Sequence, residues 1–308
     1  VQPVEANEDR LVFNSYIDGF ESQRLDVQSG GLHVETAGSG ESVVLLHGFP
    51  ENSLMWRDVA PLLARDFHVL AIDLPGYGRS DPPKDMTMSK RDLATVVHEA
   101  ATALGVTSYA LVGHDRGGRV AYRAALDRPW AIRGVAVLDI IPTLEVWERA
   151  DDQFALSFWP FSLFAQPAPL PERLIVGDPA AIVDDALDRW GSAPAAFPDE
   201  VRASYVTALR DPDHAHAICE EYRAAASVDP EHDRRDRESG RRISAPMLCL
   251  WSSNGALGTW YAEAGGPLGI WANWAENLRG QAVDAGHFFP EEIPQKTAVL
   301  VASFLTDL

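Results

Sequence analysis

The residues best placed to do chemistry lie in Gly113-His114-Asp115-Arg116-Gly117-Gly118-Arg119. The apolar run Leu111-Val112 precedes them and Val120 continues beyond, so the segment reads as a strand, a glycine-pinched turn and a helix start. On such a turn the Asp115 side chain is forced up, clear of the backbone. A carboxylate held there attacks carbon and leaves an ester on the protein. That chemistry suits alkyl halides and epoxides better than ordinary esters, for which a serine at the same place serves. The plain alternative is that Asp115 only caps the helix. Gly113, Gly117 and Gly118 argue for a sharp turn instead, since they leave room for close backbone approach.

An ester on Asp115 must be hydrolysed, and that needs a base working near neutral pH. Of the 9 histidines, His287 is the best placed, directly after Ala285-Gly286 and the last short apolar run. An imidazole there would deprotonate water. Asp139 ends another apolar run and is expected to accept the second ring N–H and fix the tautomer. Asp284 and Asn254 are its rivals. His47-Gly48-Phe49-Pro50 follows a third apolar run, and the amides of Phe49 and Arg116 are expected to converge on the ester oxygen as water attacks. Pro50 fixes that turn but cannot donate.

Arg116 and Arg119 open the helix after Asp115. Guanidinium geometry matches a carboxylate, and a helix start adds positive potential. Ion pairs with the abundant surface acids are the plain alternative. Beside a nucleophile that has to stay ionised, these cations make most sense holding a small anionic substrate, and they lower the pKa of Asp115 at the same time.

Several elements must position these groups. Segments 20–25 and 32–37 alternate as hairpin strands around Ser29-Gly30-Gly31. Segments 43–46, 69–72, 109–112, 132–138 and 247–251 are apolar throughout, and 281–283 is a short final strand. Segment 88–104 has helical periodicity with Ser89 as its cap, and 119–127 and 294–305 are further helices. Apolar strands separated by helices predict an α/β fold with a mostly parallel sheet covered on both faces. Catalytic loops then gather beyond the strands' carboxyl ends. After Pro142 the chain becomes rich in Trp, Phe, Pro and acids, with helices expected at 180–190, 199–209 and 214–226. The charge run 231–242 reads as a solvated face. The expected division is a core from 1–142, an inserted helical cap from 143–243, and the rest of the core from 244–308.

Composition narrows the partners. A formal net charge of -19 disfavours nucleic acid and anionic membranes, and the substrate's carboxylate therefore needs a locally positive pocket. No apolar run is long enough to span a bilayer, and the stretch from Val1 lacks a leader's basic and apolar regions. Cys219 and Cys249 are far apart and read as buried thiols, so the expected setting is cytoplasmic. Gly76-Tyr77-Gly78 is no dinucleotide fingerprint. His214 and His216 would not share a helix face, so no metal site is expected.

Taken together, the sequence resembles the fluoroacetate (haloacetate) dehalogenase family of α/β-hydrolases. The resemblance rests on His47-Gly48-Phe49-Pro50, the segment Asp73-Leu74-Pro75-Gly76-Tyr77-Gly78-Arg79-Ser80, the Asp115 turn, and Leu138-Asp139-Ile140-Ile141-Pro142-Thr143. It continues through Ala165-Gln166-Pro167-Ala168-Pro169-Leu170-Pro171-Glu172, Glu221-Tyr222-Arg223-Ala224 and Gly286-His287-Phe288. It implies an α/β-hydrolase fold and Asp115 as nucleophile. Asp139 and His287 would be its base system, and Arg116 with Arg119 its carboxylate clamp. It further implies release of halide from a short 2-haloacid to give a 2-hydroxyacid, no cofactor, and a homodimer.

Tyr222 would be one of three halide donors. The other two are a histidine–tryptophan pair, and on a gapless reading Pro160 and Phe161 stand in its place, neither able to donate. Trp159, through its indole N–H, and Ser162 are the candidate substitutes, and a structural aromatic lining is the plain alternative for Trp159. Fluoride gains most from such donors, so the departure favours chloro- or bromoacids. The rivals are an epoxide hydrolase recruiting Tyr222 or Tyr205 as acid, which leaves the arginines unexplained, and a binding protein without turnover.

Overall fold

A single sheet of eight strands runs in the order β1-β2-β4-β3-β5-β6-β7-β8. In this computed structural model residues 15–83, 85–190 and 193–308 are described, and the amino-terminal stretch read above for a leader lies outside them. The strands are β1 (Glu21–Val27), β2 (Gly30–Ala37), β3 (Ser42–Leu46), β4 (His68–Ile72), β5 (Tyr109–His114), β6 (Ile132–Leu138), β7 (Met247–Ser252) and β8 (Leu278–Val283). The β1–β2 hairpin joins β4 antiparallel, and every later pairing is parallel. Parallel strands need crossovers, and those put helices on both faces. Hence β5 is buried at all of its positions rather than alternating.

The parallel order matters for chemistry because it brings several strand ends to one side. His47 to Pro50 follow β3, Asp115 follows β5, Asp139 follows β6, and His287 lies shortly after β8. The helix Asp115–Asp127 is buried from Asp115 to Leu126 and packs on β3, β5 and β6. The helix Lys90–Ala103 starts at Ser89, whose hydroxyl accepts from the Asp92 amide at 3.2 Å.

Between β6 and β7 the described chain forms helices, the first Thr143–Glu148 and the last Val228–Glu238. Their aromatic side chains Phe154, Phe158 and Phe161 come down over the strand ends. The charge run departs from the sequence reading. It is not a solvated face throughout, because Val228–Glu238 is a helix that buries Asp229, Asp233 and Asp236. Asp233 accepts from the Tyr122 hydroxyl at 2.8 Å, Asp229 from the Lys90 amide at 2.9 Å, and Asp236 pairs with Arg123. These acids recur at i, i+4 and i+7, a single helical face. A search for apolar periodicity passes over a face whose buried groups are charged. No helix among the described residues is long and apolar enough to cross a membrane.

Candidate active site

Asp115 occupies the first helical position with φ 42°, in the left-handed region that side chains other than glycine avoid. Holding it there costs on the order of 1–3 kcal/mol, and the neighbouring glycines allow it. A Cβ on Gly113 would sit 2.4 Å from the Gly117 carbonyl oxygen, and one on Gly117 would sit 2.5 Å from that of His47. The Gly117 amide donates to that same His47 oxygen at 2.9 Å, locking the turn to the end of β3. The result is a buried carboxylate aimed at the cleft. Burial alone would push its pKa up, but His287, Arg116, His114 and Arg119 outweigh that and hold it below the ordinary carboxylate range.

The loop after β3 supplies a donor to this carboxylate. The Phe49 amide donates to Oδ2 of Asp115 at 3.1 Å. The Arg116 amide lies in the first helical turn, where no intrahelical acceptor exists. His47 braces the loop from behind: its Nδ1–H donates to the Gly48 carbonyl at 2.8 Å, and its Nε2 accepts from the Leu74 amide at 2.9 Å. Burial pushes the His47 pKa down, which keeps this neutral tautomer.

The structure brings His287 and Asp139 together. Nδ1 of His287 lies 2.6 Å from Oδ2 of Asp139, and Oδ1 of Asp139 accepts from the Ser252 amide at 2.8 Å. The proton therefore belongs on Nδ1. Nε2 is left as the basic atom, and it is buried with no hydrogen-bond partner in the protein. The rival orienters are spent on each other, because Asn254 donates to Asp284 at 3.1 Å.

A layer beneath the base escaped the sequence reading. Nδ1 of His114 donates to Glu51 at 2.8 Å, and Nε2 donates to the His287 carbonyl at 3.0 Å. Burial lowers the pKa of His114, but Glu51 more than offsets this and takes it up to about 9. With both ring nitrogens donating, His114 is an imidazolium at neutral pH. No spacing rule links Glu51 to His114, since only the fold brings β3 beside β5.

Of the two arginines, Arg119 lines the cleft and Arg116 is not among its lining residues. Arg116 donates from Nε to Glu221 at 2.9 Å, while its Nη1 is buried without a partner. Glu221 also takes Lys90 at 2.7 Å and the Tyr77 hydroxyl at 2.6 Å. Burial works against the Glu221 charge, but Arg116 and Lys90 pull its pKa down to about 2. Lys90 is pushed down, mainly by burial and then by Arg116, so the ammonium carries the desolvation cost of the pair. Glu221 is firmly ionised between the two cations, and Lys90 also meets the Asp229 carboxylate at 3.5 Å. Arg119 donates from Nη1 to the Ile141 carbonyl at 3.0 Å and to the Thr143 hydroxyl at 3.2 Å, and its Nε is buried without a partner. It has no carboxylate within salt-bridge distance among the described residues. The Phe161 ring lies over both guanidiniums, at 5.2 Å from Arg116 and 5.1 Å from Arg119.

Asp115, Arg119, Asp139 and His287 wall one narrow cavity, closed above by Phe154, Phe158 and Phe161. It leaves about 20 Å³ to the centre of a water-sized sphere, enough for one or two waters or a very small molecule. A wider opening lined by Trp190, Trp260 and Phe158 leads toward the same His287.

The expected halide donors separate here. The Tyr222 ring stacks under Arg116 at 4.0 Å, and burial keeps its hydroxyl protonated, with Arg116 and Asp115 the nearest charges acting on it. Trp159 corrects the sequence expectation. Its indole N–H donates to Asp185 at 2.8 Å and its ring meets Phe164, so that donor is not free for a leaving group. Phe158 and Phe161, its neighbours along the chain, face the cavity in its stead. Tyr205, the other acid of the epoxide reading, donates to Glu291 at 2.9 Å behind the site. Tyr261, which no motif flags, stands on the cavity wall.

A model of the alpha/beta hydrolase fold matches residues 41–292. The chain belongs to the α/β-hydrolase fold family. Within it, the chain is 38% identical over 295 residues to a fluoroacetate dehalogenase from Burkholderia sp., covering 94% of this chain and 95% of that one. It is 32% identical over 281 residues to a soluble epoxide hydrolase from Corynebacterium sp. strain C12, covering 86% and 90%. A solved mutant of a putative epoxide hydrolase from Pseudomonas aeruginosa, with bound MFA, superposes with a TM-score of 0.90 at 39% identity, covering 96% and 98%. The chain is thus a dehalogenase-like hydrolytic enzyme of the α/β-hydrolase family.

Proposed function

We propose that the protein hydrolyses short 2-haloacids to 2-hydroxyacids through an ester on Asp115. One observation carries this reading: Arg119, buried beside the nucleophile, has a guanidinium nitrogen with no partner. A buried guanidinium N–H left without an acceptor is costly, and a substrate carboxylate supplies what it lacks. Nη1 of Arg116, equally without a partner, is the second donor.

In this reading an oxygen of Asp115 attacks the carbon next to the substrate carboxylate, and the halide leaves with the bonding pair. Tyr222 donates to it as it goes. Nε2 of His287 then takes a proton from water, and the oxygen adds to the Asp115 carboxyl carbon. The Phe49 and Arg116 amides hold the oxyanion. Collapse breaks the bond between that carbon and the substrate oxygen, which receives the proton from His287. Asp139 holds the imidazolium throughout.

The lining by Phe154, Phe158 and Phe161, together with the engaged Trp159, favours chloride or bromide as leaving group over fluoride. Halide release with chloroacetate, bromoacetate and fluoroacetate tests this, and release from none of them overturns it. The epoxide reading keeps one observation in its favour, since the protonated phenols of Tyr222 and Tyr261 could donate to an opening ring. Diol formation from a small neutral epoxide, with no halide released from any acid, would select it.

A further inference from the structure

We propose that the Tyr261 hydroxyl is a specificity-determining donor to the substrate carboxylate, working beside Nε of Arg119. This rests on the haloacid reading above and extends it to a residue outside the Asp115, Asp139 and His287 machinery. Tyr261 is 7% exposed and lines the cavity shared by Asp115, Arg119 and His287. Burial takes its pKa up to about 12, and Arg119 is the charge that bears on it most strongly. It therefore presents an O–H near neutral pH. Tyr222, by contrast, answers to Arg116 and Asp115. Tyr261 lines the cavity beside Arg119, whereas Tyr222 stacks on Arg116 and is not among that cavity's lining residues.

The backbone holds Tyr261 in place. Its carbonyl accepts from the Ala264 amide at 3.0 Å and the Gly266 amide at 2.8 Å. Gly265 and Gly266, with φ 78° and 70°, turn the chain into the helix Gly266–Trp271. Trp271 then donates its indole N–H to the Ile140 carbonyl at 3.0 Å, next to Asp139. The segment that carries Tyr261 is thereby tied to the strand end that carries the base system. Arg116, already matched by Glu221, contributes less charge to the anion than Arg119 does. A neutral donor beside Arg119 compensates without adding another buried cation.

The test is Tyr261→Phe, which keeps the ring and removes the donor. Acetate, an unreactive carboxylate, is titrated into wild type and variant and followed by NMR, and haloacid kinetics are measured in parallel. A hydrogen bond to a charged group predicts acetate binding weakened about tenfold to hundredfold. KM for the haloacid should rise by a similar factor, while kcat changes less than about twofold. Arg119→Lys in the Tyr261→Phe background should add less than it does alone, because the two donors share one carboxylate. Acetate affinity and KM equal to wild type in Tyr261→Phe, with an unchanged melting temperature, overturn the proposal, and so does wild type that binds no acetate. Wild type that binds acetate through Tyr261 but releases no halide sinks the dehalogenase reading and leaves the carboxylate site standing.

Discussion

Nδ1 of His287 and Oδ2 of Asp139 lie 2.6 Å apart across 148 residues of sequence. That bond leaves Nε2 as the basic atom, and the mechanism needs it only after the ester has formed. Asp139→Asn should therefore spare the displacement and slow ester hydrolysis by about 10²–10⁴-fold. The expected outcome is a single burst of halide, one equivalent per enzyme, with substrate-derived mass retained on the Asp115 peptide. Equal slowing of burst and turnover would place the aspartate elsewhere in the mechanism.

Glu221 links stability to acid pH. Its carboxyl is held at about 2 in the folded protein against an ordinary 4.5. A depressed acid pKa stabilises fully above 4.5, and the benefit is lost as pH falls from there toward 2. The linked stability is about 3 kcal/mol. Glu221→Gln should flatten urea-unfolding stability between pH 5 and 3, while lowering it at pH 7 because Arg116 and Lys90 lose their counter-charge.

His114 acts on the opposite side. Its pKa, about 9 when folded against 6.5 ordinarily, stabilises fully below 6.5 and loses that contribution as pH rises through 9. The magnitude is again about 3 kcal/mol. Glu291, raised by burial and by Glu51, works in the same direction, so the informative quantity is the difference between variants. Wild type should lose more stability than His114→Gln between pH 6 and 9.5, as read by chemical denaturation at both values. Equal losses would mean that His114 is not the titrating group.

The leaving group distinguishes Tyr222 from Trp159. Tyr222→Phe should lower the rate of halide release, and more for fluoroacetate than for bromoacetate, because fluoride depends most on a donor. Trp159→Phe gives up only the bond to Asp185, so the ratio of fluoroacetate to bromoacetate rates should stay within about twofold of wild type. A change in that ratio would return the indole to the cavity.

Much of this site was legible in sequence because its parts sit at strand ends. The glycine pinch around Asp115, the position of Asp139 after an apolar run, and His287 after the final strand each have a local cause. What escaped was non-local or charged. Glu51 beneath His114, and Lys90 with Glu221 behind Arg116, are buried polar contacts with no periodicity to announce them. Tyr261 comes from an irregular turn after β7, where neither capping nor alternation marks a residue. Trp159 misled because one residue of helical phase decides which aromatic faces the cleft, and Phe158 and Phe161 took that face. The acids of the charge run sit on a helical face that a search for apolar stripes cannot register.

The most direct test of the central claim is a single turnover in ¹⁸O-water with enzyme in excess over bromoacetate. If the Asp115 carboxylate forms the bond to carbon, water enters at that side chain. The Asp115 peptide then gains the heavy isotope, and the first glycolate released carries unlabelled oxygen in its hydroxyl. Labelled glycolate with an unlabelled Asp115 peptide would mean that water attacks the substrate directly, and the ester mechanism would be wrong.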